Sequence, residues 1–200
     1  TGSDYGARIV VAPYAQVVPN NSYTFIGISH PSLATAHTSI GVAVEAMNMT
    51  TVPDNAAGRA AVFTVDAGQT HRVFIVNQSH PTINGANSAF TDSQTSLITT
   101  SDATQFGNIK VTGIGTSPRL WTGAANRPGA YTLDSAAAIS RWDNVAQLSM
   151  WGVVYQESNG AGFALEFIGD MHDSSQNTFG LCDEARGLDG SGVKRCGGNS

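Results

Sequence analysis

The residues of this chain best suited to chemistry are its five histidines. His30 and His80 each stand in a Ser-His-Pro stretch after an apolar run, and His37 follows soon after the first. Three histidines at one end of a domain would suit zinc or copper, because imidazole nitrogen is a common ligand of both metals. However, no two of them, His71 and His172 included, have the His-x-x-x-His spacing of a helical metal site. The sequence therefore favours loop histidines bonded to the backbone or to solvent.

Side chains for hydrolysis are present, but not in a recognised arrangement. The chain lacks the Gly-x-Ser-x-Gly motif that presents a nucleophilic serine. Glu45, Glu157 and Glu166 could supply the paired carboxylates of a glycoside hydrolase, because a β-sandwich can bring distant residues together. Glu157 stands in a predicted turn, and Glu166 is flanked by apolar residues. We therefore expect a protein without enzymatic activity, and a secreted hydrolase is the third hypothesis.

Acidic residues near the C-terminus are the candidate ligands of a calcium ion. They are Asp170, Asp173, Asp183 and Asp189. Calcium binds loops with several carboxylates, but the Asp-x-Asp-x-Asp-Gly pattern of a dedicated calcium loop is missing. The competing interpretation is a hydrated acidic tail. Calcium is the one metal that this pattern supports, and we expect no other cofactor.

Aromatic side chains are candidates for stacking on a glycan. Trp121 and Tyr131 are the first candidates, because they lie in or beside a loop rich in Gly and Pro. The other aromatic residues of this kind are Trp142, Trp151 and Tyr155. Large aromatic residues more often fill a core than bind a ligand. A carbohydrate- or calcium-binding module is therefore the alternative function.

Charge is scarce along the whole chain. Asp, Glu, Lys and Arg make up 12% of the residues, against about 25% in an ordinary soluble domain. Glu45 is the one charged residue between Arg8 and Asp54, and the formal net charge is −5. This balance disfavours nucleic acid as a partner, since phosphate binding needs a basic surface. No apolar run is long enough to span a membrane.

Alternation of apolar and small polar residues predicts a chain of short strands. The predicted strands are 7–18, 22–29, 38–52, 60–65, 70–77, 108–114, 145–156 and 161–169. Turns at 66–69 and 157–160 predict two hairpins, and the Asn-Gly of the second is the stronger signal. Pro13 places its strand at an edge or a bulge. Residues 78–107 are predicted to be a long loop, and 134–144 a short helix.

These elements predict an all-β fold, because strands and helices do not alternate. We expect one domain over residues 1–200, built as an antiparallel, jelly-roll-like β-sandwich with at most one short helix. Cys182 and Cys196 are expected to form a disulfide that closes a polar loop within residues 170–200. We interpret Thr1 as a mature terminus left after signal cleavage, or as the start of a shortened chain.

The combination of a neutral surface, the lack of a catalytic motif and the expected secretion predicts a structural protein whose partners are copies of itself. Charge-poor strands pair with other chains when their edges are open. Residues 1–18 are the candidate for an N-terminal strand that one subunit gives to the next. Its assembly residues would be Ile9, Val10, Val11, Tyr14 and Val17. We expect the protein at the cell surface, in an extracellular filament, pilus or surface layer.

Overall fold

The computed structural model describes residues 9–31, 39–52, 60–113, 119–120, 130–132, 148–169 and 194–195. The strands within these ranges are β1 (Ile9–Val17), β2 (Ser22–Ser29), β3 (Ser39–Met47), β4 (Ala60–Asp66), β5 (Thr70–Asn77), β6 (Thr95–Thr100), β7 (Gln105–Gly113), β8 (Arg119–Leu120), β9 (Ala130–Thr132), β10 (Ser149–Gln156), β11 (Ala161–Leu165), β12 (Ile168–Gly169) and β13 (Lys194–Arg195). A 3₁₀ turn spans Ser88–Phe90.

Two five-stranded sheets pack against each other, which confirms the predicted all-β sandwich. Sheet A has the order β12-β1-β7-β3-β4, and sheet B has the order β11-β10-β2-β5-β6. A small third sheet has the order β13-β9-β8. The strand pairs are antiparallel, apart from β5 and β6.

The parallel pair β5–β6 explains why the prediction for residues 78–107 was wrong. Parallel neighbours need a long crossover between them, because both strands run in one direction. Residues 78–94 provide that crossover, and the chain then enters β6 and β7 instead of staying irregular. The sequence of β6 is rich in Thr and Ser, which is why a loop was predicted there. Ile98 and Thr100 are nevertheless buried within the strand.

The core lies between the two sheets and is lined by one side of each long strand. Sheet A contributes Val42, Val44, Ile109 and Val111, and sheet B contributes Ile26, Ile28, Val73 and Ile75, all of them fully buried. Burying one such side chain stabilises the fold by about 1.5–3 kcal/mol. The β-branched residues also suit the extended backbone. The same side chains therefore favour the strands and hold the two sheets together.

Pro13 predicted either an edge strand or a bulge, and β1 contains a bulge. The register between β1 and β7 shifts between Ala12 and Ala15. Proline has no N–H to give to a neighbouring strand, so the shift avoids a missing hydrogen bond. Ala12 and Ala15 are both fully buried, whereas Tyr14 between them is 37% exposed. The bulge thus turns one aromatic side chain out of the core.

The predicted hairpin at residues 66–69 is wrong. β4 pairs with β3, and β5 pairs with β2, so this connection passes from one sheet to the other. Two of its hydrogen bonds go to the end of β2, where Gly68 N donates to His30 O at 2.8 Å and His30 N donates to Gln69 O at 2.9 Å. A short polar turn suits either connection, and only the distant partner strands decide between them.

The predicted hairpin at residues 157–160 is confirmed. β10 and β11 pair in antiparallel register, with Gln156 opposite Ala161. The side chain of Asn159 accepts a hydrogen bond from Ala161 N at 2.9 Å. Gly160 has a φ of 65°, a backbone conformation that glycine adopts without steric cost. The predicted helix at 134–144 and the cysteines Cys182 and Cys196 lie outside the described residues.

Candidate functional site

The side of sheet B that points away from the core is lined by aromatic residues. We call it the outer aromatic face, and its members are Tyr23, Phe25, Phe74, Trp151 and Tyr155. Tyr155 lies opposite Tyr23, and Phe25 lies opposite Phe74. Ring centroids are 5.5 Å apart in the first pair, 5.0 Å in the second, and 4.9 Å between Phe25 and Trp151. Each contact of this kind adds about 0.5–1.5 kcal/mol beyond the area that it buries.

The crossover of residues 78–94 covers one part of this face and leaves the other open. Phe90 meets Phe74 edge-on, with centroids 5.2 Å apart. Val76 and Ile83 are buried beside them. The covered part therefore lies over β5. Over β10 the described residues leave the face open, and Trp151 is 52% exposed there.

His80 attaches the crossover to the hairpin turn between β10 and β11. Its Nδ1 accepts hydrogen bonds from Thr82 N at 3.2 Å and Ile83 N at 2.9 Å. The proton therefore belongs on Nε2, which donates to Glu157 Oε2 at 3.1 Å. Both ring nitrogens are engaged, and His80 is buried. This is the backbone-bonded histidine that the sequence favoured, and it offers no nitrogen to a metal.

Tyr23 packs beside the His80–Glu157 pair. Its ring meets the imidazole edge-on, with centroids 5.9 Å apart. Burial raises the pKa of the Tyr23 hydroxyl, and the nearby charge of Glu157 raises it further. The hydroxyl therefore stays protonated at neutral pH. In the described residues this cluster contains no activated nucleophile, and we regard it as structural.

The histidines do not form the cluster that was considered as a metal site. His30 follows β2 and bonds to Gln69, just before β5, whereas His80 follows the other end of β5. His30 and His80 therefore lie at opposite ends of sheet B, and a shared site at one end is wrong. Within the described ranges, no three His, Cys, Asp or Glu residues lie close enough together to hold a metal ion. His37 and His172 lie outside those ranges.

His71 lies between the sheets. Its ring is stacked on Phe63 of β4, with centroids 3.5 Å apart and planes 7° apart. Its Nε2 is 3.0 Å from Ser96 Oγ. Burial lowers the pKa of His71 to about 4, and the charge of Arg72 acts in the same direction while Asp92 opposes both. The ring is therefore neutral at pH 7 and joins sheet A to sheet B as an aromatic contact.

The three glutamates considered for hydrolysis occupy different environments. Glu45 lies in β3 of sheet A, and its Oε2 is 2.5 Å from Lys110 Nζ in a buried ion pair. Glu157 binds His80 in the turn of sheet B. Glu166 is exposed after β11. Glycoside hydrolysis of the kind considered uses two carboxylates that flank one bond, but Glu45 and Glu157 are on different sheets and each is paired with a basic group.

A second group of aromatic residues is exposed where the two sheets meet. We call it the edge cluster, and it consists of Tyr14 of β1, Phe106 of β7 and Phe163 of β11. These side chains are 37%, 55% and 43% exposed. The Tyr14 ring centroid is 5.4 Å from that of Phe163 and 6.4 Å from that of Phe106. Three large rings at one edge form an apolar patch of a kind that marks interaction surfaces.

β11 forms an edge of sheet B beside this cluster. It pairs on one side with β10, and its residues are exposed apart from the half-buried Leu165. Its sequence, AGFAL, has no charge and no proline. The edge at β6 differs, because Val52 N donates to Thr99 O at 2.8 Å and Ser101 N donates to Thr50 O at 2.9 Å. Among the residues that the structure describes, β11 pairs with β10 alone, so it is the open one of these two edges.

The predicted assembly strand lies within its own sheet. β1 pairs with β7 along its length, and Val10 and Val11 also pair with β12. Val10 and Val17 are buried in the core, whereas Tyr14 is 37% exposed. Ile9 lies opposite Thr112. Exchange of this strand between subunits stays a prediction.

Several predicted site residues cannot be placed on these surfaces. Tyr131 lies in β9, opposite Leu120 and Lys194. The remaining candidates lie outside the described residues: Trp121, Asp170, Asp173, Asp183 and Asp189. Sequence reasoning also missed Phe106 and Phe163 of the edge cluster. The signals that could have found them are the bulge at Pro13 and the uncharged strand after Asn159-Gly160.

Comparison with known proteins identifies no relative of this chain. No family model matches the chain, and neither curated protein sequences nor solved structures contain a significant match. In the described part of the chain, no helix has the length and apolar character needed to cross a bilayer.

Proposed function

We propose that the chain is a structural subunit that assembles with copies of itself outside the cell, into a filament, pilus or surface layer. The observation that carries this proposal is β11, an exposed and uncharged strand at the edge of sheet B. An edge strand presents unpaired N–H and C=O groups to any strand that can approach it. A strand from a second copy would continue the sheet through main-chain hydrogen bonds.

The edge cluster adds an apolar contact to this edge. Phe163 belongs to β11 itself, and Tyr14 and Phe106 bring sheet A to the same place. Proteins that stay monomeric usually protect an open edge with Lys, Pro or an inward charge. Neither β11 nor the cluster contains such a residue. Hydrogen bonds and ring burial would therefore act together in one subunit contact.

The low charge of the chain supports the same function. Only 12% of its residues are charged, so little electrostatic repulsion opposes contact between copies. Localisation outside the cell rests on the expected disulfide between Cys182 and Cys196. This mechanism needs no chemical step.

The test is the assembly state of a charged variant of β11. Ala164→Lys places an ammonium group on the exposed edge strand and should raise the protein concentration needed for assembly by about tenfold, or 1.4 kcal/mol. Ala67→Lys is the matched control, because Ala67 is exposed in the connection between β4 and β5. Light scattering and negative-stain electron microscopy give the readout. A wild-type chain that stays monomeric at high concentration would refute the proposal. It would also be refuted if Ala164→Lys and Ala67→Lys assembled at the same protein concentration.

A further inference from the structure

Gly27 and Trp151 form an unusual pair on the outer aromatic face. They lie opposite each other on β2 and β10. A Cβ atom added to Gly27 would lie 2.5 Å from Trp151 Cε2, 2.7 Å from Nε1 and 2.8 Å from Cζ2. Nε1 and Cζ2 are both bonded to Cε2 and lie slightly farther from the added Cβ than Cε2 does, whereas an approach in the ring plane would bring them nearer, so the Cβ direction meets the face of the ring. The indole therefore lies flat on the backbone of Gly27, and any side chain there would displace it.

One face of the indole is covered by this contact, and none of the ring contacts of the described residues lies on the opposite face. Trp151 is 52% exposed, an unusual state for the largest apolar side chain. Phe25 supports it from the side, with ring centroids 4.9 Å apart at 52°. The sheet therefore holds a rigid, flat aromatic surface that loses little conformational freedom when a ligand stacks on it.

Hydrogen-bonding groups surround this flat surface. Ser149 and Ser29 lie opposite each other, two residues along the strands from Trp151 and Gly27. The Oγ of Ser29 is 2.7 Å from Thr70 Oγ1. On the other side of Gly27, Arg72 forms an ion pair with Asp92. The two groups of that pair are partly exposed. An aromatic surface bordered by hydroxyls and a guanidinium suits a ligand with an apolar ring face and polar groups around its rim.

The charges on this face favour a neutral ligand. Arg72 is the cation that the face presents in the described part of the chain, and Asp92 already binds it. Burial acts against ionisation of Asp92, but hydrogen bonds from Thr95 and Gln94 N, with the charge of Arg72, lower its pKa overall. Asp92 is therefore ionised at neutral pH. Glu157 adds a negative charge near Tyr23, so the described part of this face has no excess of positive charge with which to bind a phosphate group.

We propose that the open part of the outer aromatic face binds a neutral carbohydrate, with one pyranose ring stacked on the exposed face of Trp151. The C–H face of the sugar would rest on the indole, and its hydroxyls would reach Ser29, Ser149 and Arg72 at the border. The site is separate from the predicted residues Trp121 and Tyr131. It does not depend on the assembly of copies through β11.

The experiment is calorimetric titration of the intact chain with four neutral oligosaccharides: cellohexaose, xylohexaose, mannohexaose and hexa-N-acetylchitohexaose. Tryptophan fluorescence gives a second readout. At least one sugar should bind, and Trp151→Ala should weaken that binding by about tenfold or more, because it removes the central aromatic contact. Gly27→Val should have a similar effect while retaining the indole, because its side chain would occupy the position of the ring. Ala103→Ser, in the exposed connection between β6 and β7, is the control and should bind as the wild type does.

The outcomes separate this proposal from self-association. Binding that persists in the Ala164→Lys variant would support a glycan site that is independent of the assembly edge. The proposal fails if none of the four sugars binds, or if Trp151→Ala and the wild type bind equally well. It also fails if no sugar binds and Trp151→Ala instead dissociates oligomers, since the face would then be an interface between copies. Thermal unfolding of each variant verifies that it is folded.

Discussion

Acid should destabilise this protein through His71. The imidazole is buried against Phe63 and Ser96, and burial lowers its pKa to about 4, whereas an exposed histidine in the unfolded chain has a pKa near 6.5. Between these two pH values the unfolded chain binds the proton and the folded protein does not. Folding is therefore opposed more strongly as the pH falls through this window. The contribution to stability is fully present above about pH 6.5 and is lost by about pH 4.

The size of the effect follows from the two pKa values. Each pH unit within the window changes the free energy of unfolding by about 1.4 kcal/mol. The interval between 6.5 and about 4 therefore corresponds to a loss of about 3 kcal/mol. A typical domain has about 5–15 kcal/mol of stability in total. One histidine would thus remove a measurable share of it.

The measurement is urea denaturation at a series of pH values from neutral to about pH 4, for the wild type and for His71→Phe. Phenylalanine keeps the stack on Phe63 but cannot be protonated. It also loses the hydrogen bond to Ser96, a roughly constant cost of about 1 kcal/mol. The stability difference between the two proteins should change by about 3 kcal/mol across the window, in favour of the variant at low pH. Parallel curves would refute the reasoning, because other titrating groups cancel in the difference.

Three further variants test contacts that hold the sandwich together. Lys110→Met should lower the free energy of unfolding by about 3–5 kcal/mol, measured by chemical denaturation, because it leaves the buried Glu45 without its cation. Adding Glu45→Leu to that variant should restore most of the lost stability, and no recovery would contradict the ion-pair argument. Gly160→Ala should destabilise by about 1 kcal/mol because of its positive φ, and an unchanged denaturation midpoint would count against this. His80→Phe should speed amide exchange at Ile83, whose N–H loses its acceptor; equal exchange rates would show that the imidazole does not hold the crossover.

Local features of this protein were predictable from its sequence. Alternating side chains placed β2 and β5 where the structure has them, because a strand turns successive residues to opposite faces. Pro13 indicated the bulge because a missing N–H cannot be satisfied within a regular ladder. Asn159-Gly160 indicated the hairpin because few residues adopt its backbone angles. Each signal lies within a few residues of the feature that it predicts.

Only the tertiary structure decided which strands are neighbours, and so where the candidate sites lie. A polar turn after β4 gave no sign that β5 would join the other sheet. His30 and His80 share a local motif, yet they lie at opposite ends of sheet B. The indole of Trp151 lies flat on the sheet because Gly27 faces it from the neighbouring strand. Pairing between strands depends on contacts among residues far apart in the chain, and these contacts leave no trace in the local sequence.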